Sequence, residues 1–553
     1  MNTSLHEPPK VLLSPAPPWP EIKHIGLPHS RDELSQATRD ALGLDDLGGS
    51  RAIIMTGHQA GIWHSGILAK SLAAQCHADV IERETGVRPI LVHVVVDQDD
   101  NDAALIEYPA KSEGKLITRR WRVAPEALAG VPTGLQKPVA RVARVLSAEG
   151  AVGTSSGGDE SPAYVEDGLE RIARAVEAHA DKQSLALQLA NAVHDLIAEI
   201  GRDAQPMAQS EVSNSSPQAP SWTIVSALAI AKTTAFIAAV SDMVADPVAC
   251  VTAYNASVRS APGAGLRPLV GVDAGANTAT NVLSSNILSS NVSSSIDINA
   301  IELPLWRIEA GKPRLGVRVR EAREWLASQD QTSQDQSNLD QSSQDQTSRA
   351  TSGIAPLSYT LAPKAILMTA LLRGFACDLF IHGTGGGVYD RVTEAWIERW
   401  AKSRASTANH MAWQLAPTVI ASATIHLPLL EAPPPTDRDV ADSAWRAHRA
   451  THDPAMLGEL GAAATKLDWI KTIRALRYAS KHERLAAYRA MHEELARFRA
   501  TNAPAIAHLV DAHTDLVAQR IRAGIALRRT WPFAIVPGDG LRTLDAAIAA
   551  KFE

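Results

Sequence analysis

Apolar and polar positions follow three regimes along the chain. From Arg51 the pattern runs strand (Ala52–Met55), glycine- and histidine-rich turn, helix (Ile67–His77), strand (Pro89–Val96), acidic turn. Short apolar runs alternating with helical patterns predict parallel βαβ construction, and "ILVHVVV" predicts a strand covered on both faces. From Ser161 to Asp246 the spacing is helical, with Leu169, Ile172, Val176, Leu187, Leu189, Val193, Leu196 and Ile200 in apolar stripes. A second alternating region then predicts a turn and helix in "LAPKAILMTALLRG", a strand in "CDLFIHG", a turn at "TGGG", a helix in "VYDRVTEAWIERWAK" and a strand in "APTVIASATIHLPL". Beyond Asp437 nearly everything is helical. Leu485, Tyr488, Met491, Leu495 and Phe498 recur at three and four; Pro504 breaks the run; Ile506, Leu509, His513, Leu516, Ile521 and Ile525 begin another. Two long helices meeting at "TNAP" predict an antiparallel hairpin or short coiled coil.

These patterns divide the chain into an N-terminal arm (1–50), a first part of an α/β core (51–135), a helical insertion (136–273), a polar insertion (274–350), a second part of the core (351–436), the helical hairpin (437–530) and a tail (531–553). Two low-complexity tracts, Asn277–Ser295 and Ser328–Ser348, hold too little apolar surface to offset the entropy of ordering and are expected to be flexible surface insertions. At 553 residues, two to four structural units are expected.

Composition changes this picture little. Apolar content of 45%, charged content of 21% and a formal charge of −6 describe an ordinary globular chain with no global call for nucleic acid or an acidic membrane. Cys76, Cys250 and Cys377 are far apart, which argues against a disulfide framework or thiolate zinc site and fits a reducing cytoplasm. No secretion signal is read at the start. Trp222 to Asp246 is about as long as a membrane span, but Lys232 near its middle would cost about 2.5–3.5 kcal/mol in bilayer, so a buried core helix is expected. The basic excess among the C-terminal helices reads as a solvated face.

Three turns could carry chemistry. "TGHQAGIWHSGILAK" passes from strand to helix, where unpaired N–H groups and the helix dipole favour an anion. Gly57, Gly61 and Gly66 would let the backbone approach a ligand, and His58 and His64 could donate to an anionic oxygen or pass a proton near neutral pH. The spacing is not that of a dinucleotide fingerprint, a Walker loop or a serine-hydrolase elbow. "VVVDQDDND" places Asp97, Asp99, Asp100 and Asp102 at the carboxyl end of a strand, where open α/β sheets bind ligands. The calcium-loop pattern fails there, and no metal site is assigned; magnesium on one or two carboxylates and a solvated, capped turn stay open as alternatives. "IHGTGGGVYDR" offers Gly383, Gly385, Gly386 and Gly387 as an anion cradle at the same relative place as the first turn.

Taken in order, these turns resemble the bacillithiol-biosynthesis cysteine-adding enzymes. That family's T-G-Q-Q-A-G is matched by Thr56-Gly57-His58-Gln59-Ala60-Gly61, its E-D-H-D by Val96-Asp97-Gln98-Asp99, its S-P-N-A-L-L by Ala362-Pro363-Lys364-Ala365-Ile366-Leu367, and its G-G-P-G-E-x-x-Y by His382-Gly383-Thr384-Gly385-Gly386-Gly387-Val388-Tyr389. The resemblance implies an α/β fold with a split Rossmann-like parallel sheet core, helical insertions and a C-terminal coiled coil that pairs two subunits. It implies an amide-forming ligase that joins the carboxyl of cysteine to the amine of a glucosaminyl-malate; such a bond requires carboxyl activation, for which a nucleotide such as ATP is the chemically expected driver. Thr56, Gly57, Gln59 and Gly61 would shape the substrate turn, with Lys364 at the third motif. Asp97 and Asp99 would bind the amine or a metal, and Gly383, Gly385 and Tyr389 would line the opposite wall. Among the departures, Gln98 stands for the histidine, Val96 for the first glutamate and Gly386 for the last. Glutamine cannot do acid–base work, so either His58 or His64 compensates or the chemistry has changed. The other readings are a diverged sugar- or nucleotide-binding protein on this scaffold, and a scaffold protein that works through its helical hairpin.

Overall fold

The computed structural model describes residues 8–19, 33–44, 51–144, 161–202, 221–271, 297–329, 357–404, 413–430 and 432–553. The first low-complexity tract, and the second from residue 330 onward, lie outside the described residues.

The centre is a six-stranded sheet in the order β1 (Lys10–Ser14), β11 (Thr418–Thr424), β10 (Leu379–His382), β2 (Ile53–Gln59), β3 (Ile90–Val96), β6 (Trp222–Ser226). Only β1 runs antiparallel to its neighbour; the other pairings are parallel. The continuous apolar run of β3 is buried on both faces, as its pattern predicts. Ile54, Leu91 and Val95 feed one hydrophobic core, and Ile53, Met55, Val92 and Val94 the other. Helix α2 (Ser65–Thr85), α3 (Ala163–Ala178), α4 (Leu185–Arg202) and α15 (Gly538–Ala549) contribute to the first core. The second is filled by α6 (Thr234–Ala245), α7 (Pro247–Ser260), α9 (Ala365–Leu371) and α10 (Thr384–Ser403).

Two small sheets flank the centre. Strands β4 (Leu105–Ser112) and β5 (Lys115–Arg122) form a hairpin whose two turn residues, Glu113 and Gly114, have φ of 50° and 72°. Positive φ at both positions matches the right-handed twist of the strands it joins. Strand β7 (Glu302–Ile308) lies between β8 (Leu315–Arg318) and β9 (Thr360–Pro363), and a helix α8 follows over residues 319–329.

Several expectations need correction. Thr56 to Gln59 are strand, because pairing with β3 continues to Gln59↔Val96; the turn is confined to residues 60–64. "TGGG" is the first turn of α10, not a loop. The N-terminal arm adds β1 to the core sheet, with Lys10 opposite Thr424. Trp222 to Ser226 is not the start of a core helix. Its β-branched centre, Thr223-Ile224-Val225, pairs with β3 as the sheet's far strand, so the insertion expected to be helical contributes to the core. A short helix α5 (Ala227–Ile230) follows, and α6 and α7 meet at 101°. Among the described residues no single helix is long and apolar enough to cross a membrane.

In the C-terminal region α11 (Asp437–Ala450) packs along α14 (Ala503–Ala526), and α12 (Leu460–Ala475) along α13 (Lys481–Thr501). Consecutive α13 and α14 touch only slightly, so the main packing partners differ from the hairpin expected at "TNAP". Capping boxes at Thr436/Asp439 and Ser480/Glu483 start α11 and α13. The tail folds back on the core: Phe533 N–H donates to Trp63 C=O at 2.7 Å, and Ala534 and Ile535 lie against α3 at Gly168.

A Cβ added at Gly168 would stand 2.7 Å from Ile535 Cα, a backbone atom that cannot rotate away. Gly168→Ala is therefore expected to lower stability by about 1–3 kcal/mol through overpacking. Urea unfolding of both proteins checks this, and an unchanged midpoint would refute the packing described.

Candidate active site

The parallel strands bring the carboxyl ends of β2, β3, β6 and β10 to one edge of the sheet, the place where open α/β sheets take ligands. The start of α9 joins them, since Gln98 Nε2 donates to Pro363 C=O at 2.6 Å, one residue before Lys364. The motifs thus converge through their backbones. Their side chains divide into those that hold the edge together and those left to meet a ligand.

Asp97 holds the edge. It is 2% exposed; its Oδ1 accepts from Leu228 N–H at 2.9 Å, its Oδ2 from the Ser226 hydroxyl, and its carbonyl from Gly134 N–H. Burial pushes its carboxyl up to about 6, opposed by the bonds from Ser226 and Leu228. Asp97 is therefore committed to joining β3 to β6. Thr56 is committed likewise, its hydroxyl donating to Ile381 C=O at 2.9 Å across β2 and β10. A Cβ at Gly57 would sit 3.0 Å from Val94 O, so this glycine serves close strand approach.

In the acidic turn each of the three carboxylates beyond Asp97 has a partner, while Asp100 and Asp102 stay partly exposed. Asp99 accepts from Gln59 Nε2 at 2.5 Å and pairs with Arg314, Asp100 lies 3.2 Å from Arg314, and Asp102 takes a two-pronged contact from Arg122 at 2.6 and 2.8 Å. Bidentate arginine contacts of this kind are strong and geometrically specific. Among the described residues no group of three or more histidine, cysteine, aspartate or glutamate side chains is placed to hold a metal. Lys364 pairs with Glu302 at 2.5 Å, and its Nζ and the Arg314 guanidinium each lie 4.5 Å from the Trp306 ring. One indole thus shares two cations, which links Lys364 to Asp99.

His64 caps α2. Its Nδ1 accepts from Gly66 N–H at 3.0 Å, and a Cβ at Gly66 would stand 2.8 Å from the imidazole Cε1, so the glycine makes room for the cap. Burial, then Arg529 and Lys70, push its pKa down to about 4. The neutral ring with an accepting Nδ1 carries its proton on Nε2, which leaves one donor. His58 Nδ1 lies 3.1 Å from Gln59 C=O, and its ring sits edge-on to Trp63. Burial, then Lys70, push its pKa down to about 3. Gly61, at φ 143°, turns the chain into the loop toward α2.

The side chain that pattern reading missed is Lys70. It is 3% exposed, and its Nζ donates to Gly57 C=O at 2.5 Å, with no carboxylate at ion-pair distance among the described residues. Its stem passes Gly383, where a Cβ would lie 3.9 Å from Lys70 Cδ. Burial alone pushes the amine down to about 7 from its ordinary 10.5. The available signal was "SGILAKSLAAQ", a lysine in the middle of a small-residue helix whose faces are both needed for packing. Behind it, His93 is wholly buried, with ring centroids 4.7 Å from Trp63 and 5.1 Å from His194; burial, then His194 and Lys70, hold its imidazole neutral.

On the opposite wall Gly383 is the N-cap of α10, with no side-chain cap, and Gly385 and Gly386 lie in the first turn. Their N–H groups are among those a helix leaves unpaired. A Cβ at Gly386 would meet the His382 ring, whose Nε2 stands 3.6 Å from Asp390. Burial pushes the Asp390 carboxyl up, but His382, Arg373 at 2.8 Å and Thr418 together hold it below the usual range. Tyr389 is 41% exposed on α10, and among the described residues its hydroxyl shares no hydrogen bond with the other candidates. The edge therefore brings together His58, His64, Gly57, Gly383 and Lys70, while Lys364 and Asp99 belong to the adjoining Trp306–Arg314 cluster.

Such an edge can stabilise an anion beside a lysine that gains or loses its proton near neutrality. The unfolded lysine stays charged to higher pH, so between pH 7 and 10.5 the unfolded chain binds more protons and stability rises with pH. From pH 7 to 9.5 this group is expected to add roughly 2–3 kcal/mol. Lys70→Met should abolish that share of the rise in urea unfolding at the two pH values; identical slopes would show that Lys70 is not desolvated.

No family model matches the chain, and no curated protein is significantly similar to it.

Proposed function

We propose that the chain is an amide-forming ligase acting on small polar compounds at this sheet edge, on a split Rossmann-like core. The observation that carries the reading is the Lys70 amine, buried between Gly57 and the α10 N-terminus and titrating near neutral pH. The order of the motifs, similar to that of the cysteine-adding enzymes, supplies the substrates: the carboxyl of cysteine and the amine of a glucosaminyl-malate. Once the carboxyl is activated, for which a nucleoside triphosphate is the chemically expected source, the amine attacks the acyl carbon. The amide bond forms, the activating phosphate or nucleotide leaves, and the amine's proton passes to neutral Lys70. His64, with its proton on Nε2, would donate to the oxygen that develops charge, while His58, whose single proton faces Gln59 C=O, would offer Nε2 as an acceptor.

A second reading is a sugar- or nucleotide-binding protein with different or no catalysis. It is favoured by one observation: Asp97 is spent on Ser226 and Leu228, and Gln98 on Pro363, which leaves the end of β3 without a free base. Thermal unfolding with cysteine, malate, an amino-sugar malate, ATP and ADP separates the two. A ligand at a hundred times its Kd adds about 2.7 kcal/mol. The ligase reading expects stabilisation by amino-sugar malate that Lys70→Met removes, and loss of a low-molecular-weight thiol from cells lacking the gene. An unchanged thiol profile would leave the binding reading standing.

The proposal includes a homodimer through the C-terminal helices and a reducing, cytoplasmic setting, the latter supported by three unpaired cysteines. Pairing is supported by α12, which buries no residue although it carries Leu460 and Leu467, 74% and 56% exposed. Sedimentation is expected to give a dimer that Leu467→Glu dissociates; a monomeric wild-type chain would end this part of the proposal.

A further inference from the structure

A cavity of about 590 Å³ lies away from the sheet edge, between the β4–β5 hairpin, the start of α3, the proline-rich segment after β11, and α14. That is within the usual range for small-molecule sites. Its walls are of two kinds. Leu116, Tyr164, Pro433 and Pro434 give flat apolar surfaces, and Lys111 and Arg522 supply two positive charges. Among the described lining residues there is no carboxylate, and neither cation has a hydrogen bond or ion pair with a described residue.

The start of α3 forms the adjoining wall. Helix α3 begins at this cavity with Pro162 as a cap that offers no side-chain bond, and Glu166 stands in its first turn. The Tyr164 hydroxyl is buried without a hydrogen-bond partner on the same wall. Two cations without a described partner and an orphaned hydroxyl thus line one apolar cleft, in which no described lining residue carries a carboxylate.

We propose that this cavity binds a small organic oxyanion, a phosphate or carboxylate carried on an apolar ring. The anionic group lies against Lys111 and Arg522, and the ring packs on the prolines and on Tyr164. Because one wall belongs to the α/β core and another to α14, occupancy ties the C-terminal helices to the core.

Titration calorimetry on the full chain at low ionic strength tests this with phenyl phosphate, benzoate and inorganic phosphate as probes. Binding of at least one ring-bearing anion is expected, tighter than inorganic phosphate by about tenfold or more; which anion wins identifies the oxyanion. The double variant Lys111→Gln/Arg522→Gln, both exposed positions, should keep its circular dichroism and lose about tenfold or more in affinity. Lys70→Met should bind as wild type, which separates this cavity from the sheet edge. The proposal is overturned by no heat with any probe at millimolar concentration, by equal affinity in the double variant, by inorganic phosphate binding as tightly as the ring compounds, or by loss of binding in Lys70→Met alone.

Discussion

Strand β2 is the constraint on which the rest depends. It is held on one side by β3, its near neighbour in sequence, and on the other by β10, which arrives some 325 residues later. Closing so long a loop costs more entropy than closing a short one, though the cost grows only logarithmically. The join is fastened accordingly: Thr56 donates to Ile381 C=O, Asp378 accepts from Ile53 N–H at 2.7 Å, and Arg39 pairs with Asp378. Every loop at the sheet edge inherits its position from that join, because Gly57 and Gly383 face each other only when β2 and β10 are in register.

Charge at the edge is sorted by this geometry. Acids on the β3 side meet arginines carried in by other parts of the chain, Arg122 from the hairpin and Arg314 from the second small sheet. Lys70 receives a carbonyl dipole and no anion. A carbonyl lowers the cost of burying an ammonium but does not neutralise it, so the amine sits near its point of half-protonation. The acidic turn is a finished structural element, while the lysine is an unfinished electrostatic one. This difference, more than the number of polar groups, marks where a ligand's charge would be accommodated.

What could be read in advance followed from local pattern. Strand β3 was legible because six of its seven residues are apolar, with only His93 among them, and α2 and α10 because glycine-rich starts precede helical spacing. Strand β6 was not, since "WTIVS" runs into an apolar helix without a glycine or proline to separate them, and only its pairing with Leu91 to Val95 makes it a strand. The site was legible as a location more than as a set of roles. Asp97 was singled out correctly as sitting at a strand end, but its use depends on Ser226, 129 residues away. His64 looked like chemistry and caps a helix; Lys70 looked like an ordinary helical lysine and is buried. Both outcomes are set by what packs on α2, and that information is spread over the whole chain.

The antiparallel edge strand has a consequence for how the protein is made. Lys10–Ser14 leaves the ribosome before its partner around Ser422, which is translated about four hundred residues later. At about 5–20 residues per second that interval lasts roughly 20–80 s. Throughout it, "KVLLS" is a short unpaired strand on a nascent chain, flanked by the prolines at 8, 9 and 15 that keep it from recruiting a stray neighbour.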